Sequence, residues 1–93
     1  MIRSFKDKAT AQAFDGTAGK GFPIDVLKVA RRKLAMIHAA ARLDDLRSPP
    51  GNRLEILTGN RKGQCSIRVN DQYRICFVWT DEGPEEVEFT DYH

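Results

Sequence analysis

Residues 65–79 read Cys65-Ser66-Ile67-Arg68-Val69-Asn70-Asp71-Gln72-Tyr73-Arg74-Ile75-Cys76-Phe77-Val78-Trp79. Apolar side chains occupy every second position on both sides of a short polar break: Cys65, Ile67 and Val69 before it, Tyr73, Ile75, Phe77 and Trp79 after it. A period of two is that of a strand with one buried face. Putting both apolar rows on one face pairs 69 with 73, 67 with 75 and 65 with 77, and leaves residues 70–72 as the loop. A slip of one residue would send every side chain to the wrong face, so the pattern selects this register. On the opposite face Arg68 then lies across from Arg74. Like charges directly opposed in a sheet are unfavourable. Such a pair needs an anion, either a carboxylate of the chain or a phosphate from outside. Glu55 on the preceding strand points to the same face by alternation. The pattern therefore leaves two readings open: a self-satisfied network of Glu55, Arg68 and Arg74, or an anion site. The same register sends Cys65 and Cys76 to opposite faces, which predicts that they do not bond.

The alternation continues outward from this hairpin. Leu54 and Ile56 alternate with Arg53 and Glu55, and Val87 and Phe89 alternate with Glu88 and Thr90. Gly59-Asn60-Arg61-Lys62-Gly63 and Asp81-Glu82-Gly83-Pro84 read as turns. The second half is thus an antiparallel meander with one apolar face. Phe89 falls on the core side, where it would anchor the last strand.

The first half is helical. Ile2 to Phe5 is short and β-capable; Asp7 suits an N-cap, and Lys8 to Phe14 reads as a helix that Gly16 stops. Gly16-Thr17-Ala18-Gly19-Lys20-Gly21 is a flexible connection. It echoes a phosphate loop, but no Gly-Lys-Ser/Thr follows a strand, so a nucleotide site is rejected. From Asp25 to Arg47 the spacing predicts one long helix with Leu27, Ala30, Leu34, Ile37 and Ala41 as its apolar stripe. Pro49-Pro50-Gly51 ends it. His38 sits at the edge of the stripe and reads as a packing residue rather than a ligand, while Met36 faces away from the stripe. Helices that precede a one-faced sheet can cover it, which gives an α+β domain spanning residues 1–93.

Composition narrows the class. An apolar share of 41% with 30% charged residues is that of a soluble globular chain. Met1-Ile2-Arg3-Ser4-Phe5-Lys6 carries charge where a signal peptide needs an apolar run. No apolar stretch nears the roughly 20 residues of a membrane span. The expectation is a cytoplasmic protein with no membrane partner. Two cysteines without metal spacing read as free thiols in a reducing compartment. The net charge of +2 is uneven: residues 1–47 carry +5 and residues 48–93 carry −3. Lys28, Arg31, Arg32, Lys33, Arg42 and Arg47 fall in one stretch, either an attractor of an anionic partner or a solvated helix face.

Taken together, the opening MIRSF, the LRSPPGNRLE after the long helix, GNRKGQ, SIRVNDQYRICFVW and the closing DYH resemble the HigB toxins of bacterial toxin–antitoxin systems, within the RelE/ParE superfamily. The resemblance covers nearly the whole chain. It implies two N-terminal helices packed on a curved antiparallel sheet. It implies a metal-independent endoribonuclease that cuts messenger RNA in the ribosomal A site, in contact with ribosomal RNA. A HigA-type helix-turn-helix antitoxin would silence it, with operator DNA reached only through that antitoxin. By the same resemblance Arg74 matches the catalytic arginine, and Asp91, Tyr92 and His93 match a terminal functional triplet. Arg61 and Lys62 match basic loop residues near RNA, and Gln72 stands where some members have a polar site residue. Glu55 departs from a type of member with histidine there, and Thr58 from one with lysine; both changes remove positive charge near the substrate.

Such a ribonuclease must take a proton from the ribose 2′-hydroxyl, stabilise charge on phosphorus and protonate the leaving oxygen. Arg74 is a permanent planar cation suited to the phosphate, with Arg68 as an assistant or as the holder of Glu55. His93 titrates near neutrality and is the best candidate for proton transfer; Glu55 is the alternative base. Tyr92 can donate a proton or stack on a base, and Asp91 can orient His93 or an arginine. No cofactor or metal is expected, since no carboxylates or histidines stand at ligand spacing. Two rival functions remain: a ParE-like poison of DNA gyrase, and an RNA- or ribosome-binding module without catalysis.

Overall fold

A computed structural model describes residues 1–92. Four strands form one antiparallel sheet in chain order: β1 (Glu55–Ile56), β2 (Cys65–Arg68), β3 (Arg74–Thr80) and β4 (Gly83–Thr90). The central register is the one the apolar alternation selects, with Cys65 opposite Phe77, Ile67 opposite Ile75 and Arg68 opposite Arg74. Asn70 closes the loop by accepting the backbone N–H groups of Gln72 and Tyr73 at 2.9 and 2.7 Å. This is the local side-chain bonding that favours Asn in turns. Between β3 and β4 the register shifts at Cys76/Val78, and Glu86 takes up the bulge with φ 53. Bulges of this kind bend a strand and re-aim its side chains.

Two helices lie on the apolar side. In α1 (Lys8–Phe14) the Asp7 carboxylate caps the first turn by accepting from Thr10 N–H at 2.8 Å, as the sequence predicts. Helix α2 (Leu27–Ala39) buries Ala30, Leu34 and Ile37 completely. They pack on Ile67, Ile75, Phe77 and Val87 of the sheet, which are equally sealed from solvent.

The long helix expected over 25–47 is shorter at both ends. Residues Ile24–Val26 form a 3₁₀ turn, and Ala40 is already extended at φ −65, ψ 128. The Asp45 carboxylate accepts the N–H groups of Ala41 and Arg42 at 2.9 and 3.0 Å and starts a separate 3₁₀ segment, Leu43–Arg47. A side chain that offers the backbone such a partner competes with continuing the helix. Ala41 is therefore exposed, and Ala40 enters the core in its place. Ile56, expected on the buried row, is 61% exposed on the edge strand β1.

The N-terminal segment runs beside β4. Phe5 bridges Val87 in parallel, Arg3 N–H donates to Pro84 O at 2.8 Å, and Lys6 N–H donates to Val87 O at 3.0 Å. Gly83 permits the approach: a Cβ there would meet the Met1 carbonyl oxygen at 2.5 Å. His38 is the packing residue it was read as, its ring 5.1 Å from that of Phe14 and its Nδ1 accepting from Ile2 N–H. Met36 is half-buried, its sulfur 3.9 Å from the Asn52 amide. Cys65 and Cys76 are free and buried, on opposite faces of the sheet. Among the described residues no helix is long and apolar enough to cross a membrane.

Candidate active site

The face of the sheet turned away from the helices is built in two rows. Glu55, Ser66, Cys76 and Glu88 are paired across all four strands, and Arg68, Arg74 and Thr90 form the next row. The bottom is sealed, with Ser66 at 0% and Cys76 at 1% exposure. Burial pushes the Cys76 thiol up to about 11, although the cations Arg61 and Arg74 pull the other way. The floor beneath the cations is therefore neutral at physiological pH.

Arg74 is the most enclosed cation of this face, its side chain 14% exposed. Its Nε donates to Ser66 Oγ at 2.7 Å, and its Nη2 donates to the carbonyl oxygens of Arg53 and Ser66 at 2.5 and 3.3 Å. Its Nη1 lies 3.7 Å from Glu55 Oε1. Arg68 pairs instead with Asp71 of the turn, whose carboxyl is held below its usual range by the Arg68 hydrogen bond and charge. The opposed arginines are thus neutralised by two different carboxylates, and the three-residue network of Glu55, Arg68 and Arg74 does not form. The Glu55 side chain is 55% exposed. An ion pair this open is worth at most about 1 kcal/mol, so an incoming phosphate can replace Glu55 on Arg74 at small cost.

Tyr92 joins this group. Its hydroxyl is 3.0 Å from Ser66 Oγ, which links it to Arg74 through one serine. The Arg61 guanidinium stands 5.1 Å from the centre of the Tyr92 ring, within cation–π range. Arg61 in turn donates to Gln64 Oε1 and Glu88 Oε1, both at 3.2 Å, and Glu88 is also 3.8 Å from the Lys6 ammonium. Glu55, Thr58, Asn60, Arg61 and Tyr92 line an open groove of about 450 Å³, with Ile56 and Leu57 as its apolar wall.

Of the residues singled out in the sequence, the fold brings Glu55, Arg61 and Tyr92 to one groove, and Arg74 adjoins it through its ion pair with Glu55 and through Ser66, which also holds Tyr92. Asp91 and Gln72 lie together beside it, with Gln72 Nε2 donating to Asp91 Oδ2 at 3.2 Å. Arg68, the last residue of β2, reaches Asp71 of the turn that carries Gln72. Lys62 is exposed on the loop before β2. His93 lies outside the described residues. Among the described residues no group of three or more His, Cys, Asp or Glu is placed to hold a metal ion.

Three participants escape a reading of the sequence. Ser66 and Glu88 were within reach, because alternation and strand pairing put both on the face of Arg74; nothing about their residue type marks them. The Arg53 carbonyl was not, since it depends on a left-handed residue, φ 45, in a turn whose shape the sequence does not show.

With the geometry in place, comparison with known proteins is informative. Residues 3–93 match the family described as the RelE-like toxin of the type II toxin–antitoxin system HigB. The chain is 48% identical over 82 residues to Toxin HigB-1 of Vibrio cholerae, covering 87% of this chain and 86% of that protein. It is 29% identical to Endoribonuclease HigB of Proteus vulgaris across 100% of both chains. The fold is similar to that in a YoeB–YefM complex from Staphylococcus aureus, with a TM-score of 0.62, 15% identity, and coverage of 100% of this chain and 98% of that one.

Proposed function

The chain belongs to the family of HigB-like, RelE-like toxins of type II toxin–antitoxin systems, and from that premise we propose that it is a metal-independent endoribonuclease. It acts in the cytoplasm on messenger RNA in the ribosomal A site and is silenced by a HigA-type helix-turn-helix antitoxin. Operator DNA is reached through that antitoxin alone. The observation that carries the reading is the seat of Arg74: a cation held by Ser66 and Arg53 and set beside the exposed carboxylate and the phenol that line the groove. A similarity to a protein named as an endoribonuclease, over the full chain, points the same way. Family membership favours RNA cleavage over gyrase poisoning, and the nearness of Tyr92 and Glu55 to Arg74 supports catalysis over binding alone.

In this mechanism the substrate phosphate displaces Glu55 from Arg74 Nη1, and the guanidinium stabilises the charge that builds on the phosphoryl oxygens. Ser66 fixes both Arg74 and the Tyr92 hydroxyl, so cation and phenol arrive in a set relation. Tyr92 donates toward the leaving oxygen or carries a base on its ring, and Arg61 keeps that ring in place. His93 takes the 2′-hydroxyl proton, with Glu55 as the alternative base. Arg68, Lys62 and Gln72 hold the flanking nucleotides, and Asp91 ties Gln72 to the C-terminal segment.

Primer extension on transcripts from expressing cells tests this. Wild type is expected to cut within translated codons. Arg74→Ala is expected to lower cleavage by about 100- to 1,000-fold, the usual effect of removing one preorganised donor. Arg74→Lys is expected to recover only part, because the planar fork is lost. His93→Ala is expected to abolish growth arrest with the fold intact. DNA breaks without cut transcripts would refute the ribonuclease reading in favour of a gyrase poison. Ribosome binding without cut transcripts would refute it in favour of a binding module.

A further inference from the structure

Behind Arg74 lies a buried polar link that the mechanism above does not use. Lys33, 7% exposed, sits on the buried side of α2 and donates from Nζ to Asn52 Oδ1 at 2.5 Å. Asn52 is 0% exposed, and its amide nitrogen donates to the carbonyl oxygens of Leu46 and Ser48 at 3.2 and 3.4 Å. Both ends of the amide are therefore fixed, one by the helix and one by the segment that follows it. A buried ammonium whose partner among the described residues is a neutral amide is costly to keep, and an apolar residue of similar length is often no less stable in such a place. The next residue, Arg53, is a non-glycine in the left-handed region at φ 45. Such a conformation persists only where its surroundings over-determine it, and such residues cluster at functional sites. Here its carbonyl oxygen accepts from Arg74 Nη2.

We propose that Lys33 and Asn52 are positioning residues for Arg74. The link runs Lys33 Nζ, Asn52 amide, Arg53 carbonyl, Arg74 guanidinium, so the helix on one side of the sheet sets the direction of the cation on the other. Ser66 alone fixes Arg74 through Nε and one carbonyl contact. The Arg53 carbonyl adds a second anchor on the opposite flank and turns Nη1 toward the groove. Neither Lys33 nor Asn52 touches substrate; their action is on the angle at which Arg74 meets the phosphate. This inference rests on Arg74 acting in RNA cleavage.

The test is a double-variant cycle on programmed ribosomes, with single-turnover cleavage and ribosome affinity measured for wild type, Asn52→Ala, Arg74→Ala and the pair. Misplacing a catalytic group by about 1 Å costs up to about 100-fold. Asn52→Ala is expected to slow cleavage by roughly 10- to 100-fold with ribosome affinity unchanged. The double variant is expected to be no slower than Arg74→Ala alone, because residues acting as one unit are not additive. A purely structural role would multiply with Arg74→Ala, and that result overturns the proposal, as does Asn52→Ala cleaving at the wild-type rate. Should Asn52→Ala fail to fold, Lys33→Met leaves Asn52 and its two carbonyl partners in place and fills the same space. It is expected to slow cleavage with affinity unchanged, and a wild-type rate for it overturns the proposal. Arg74→Ala cleaving normally would defeat the role of Arg74 itself, a failure visible without either of the other variants.

Discussion

Arg74 and Cys76 leave β3 on the same face two residues apart, yet they meet different fates. Arg74 reaches past the sheet and finds oxygen acceptors for its donors. Cys76 stays beneath at 1% exposure, and desolvation outweighs the pull of the neighbouring cations, so the thiol remains protonated. The consequence is a pH dependence of known sign. A thiol at about 11 in the folded protein against an ordinary value of 9.0 binds a proton in the folded state that the unfolded chain has released. Its stabilising contribution is full below pH 9 and is lost as pH rises through 11. Over that window the loss is roughly 2 to 3 kcal/mol. Lys33, whose amine burial pushes down, contributes a slope of the opposite sign. The diagnostic is therefore the difference between wild type and Cys76→Ala in urea unfolding from pH 8.5 to about 11. The variant should lack about one proton's worth of slope; equal slopes would mean that Cys76 does not titrate as its burial requires.

At the scale of elements, what the sequence disclosed depended on how periodic the signal was. The β2–β3 hairpin was legible to the residue because strict alternation on both arms admits one register. That register alone exposed the opposed Arg68 and Arg74. The end of α2 was not legible. Alanines and straight-chain residues favour helix, and the first strong stop after Ala41 is Pro49-Pro50-Gly51, so a reading by stripe and breaker carries the helix to Arg47. What stops it is a single carboxylate, Asp45, capturing two backbone N–H groups that helix continuation would have used. That competition leaves no periodic trace. The partners of Arg74 divide the same way: Ser66 follows from register, whereas the Arg53 carbonyl follows from a turn that Asn52 shapes. Asp45→Ala removes the capture and should cost about 1 kcal/mol, the usual worth of a helix-end cap. In a domain of this size that is about 4 to 8 °C in Tm. A melting curve superimposable on wild type would show that the helix ends at Ala39 for some other reason.

For the molecule as a whole, the candidate site is assembled from both halves of the chain through β4. Its outer edge would present unpaired backbone groups, a standing hazard for an edge strand. The N-terminal segment covers it: Ser4 O accepts from Val87 N–H at 3.1 Å and Ser4 Oγ from Glu86 N–H at 2.9 Å. Beyond the reach of that segment, Thr10 of α1, 0% exposed, accepts from Phe89 N–H at 3.0 Å. The Phe89 ring packs 4.7 Å from Tyr73 and 4.6 Å from Phe22, centre to centre. The alternation that put Phe89 on the core side foresaw this anchoring, but a threonine inside a short helix gave no hint of its hydroxyl's partner. Two residues after Phe89 the chain carries Asp91 and then Tyr92 into the site, so the strand is held where its last side chains must be aimed. Thr10→Val keeps the shape and removes the acceptor, leaving a part-buried N–H unsatisfied at a cost of about 1 to 3 kcal/mol. Thr10→Ser keeps the hydroxyl and should recover most of that. Because the lost bond sits on β4, the Phe89 amide should exchange with solvent faster in Thr10→Val than the amides of β2, even at temperatures where the protein is fully folded. Cleavage should fall with it, as Tyr92 loses its fixed approach to Ser66. Unchanged Phe89 protection in Thr10→Val would mean that the sheet alone holds β4, and that α1 has no part in aiming the C-terminal residues.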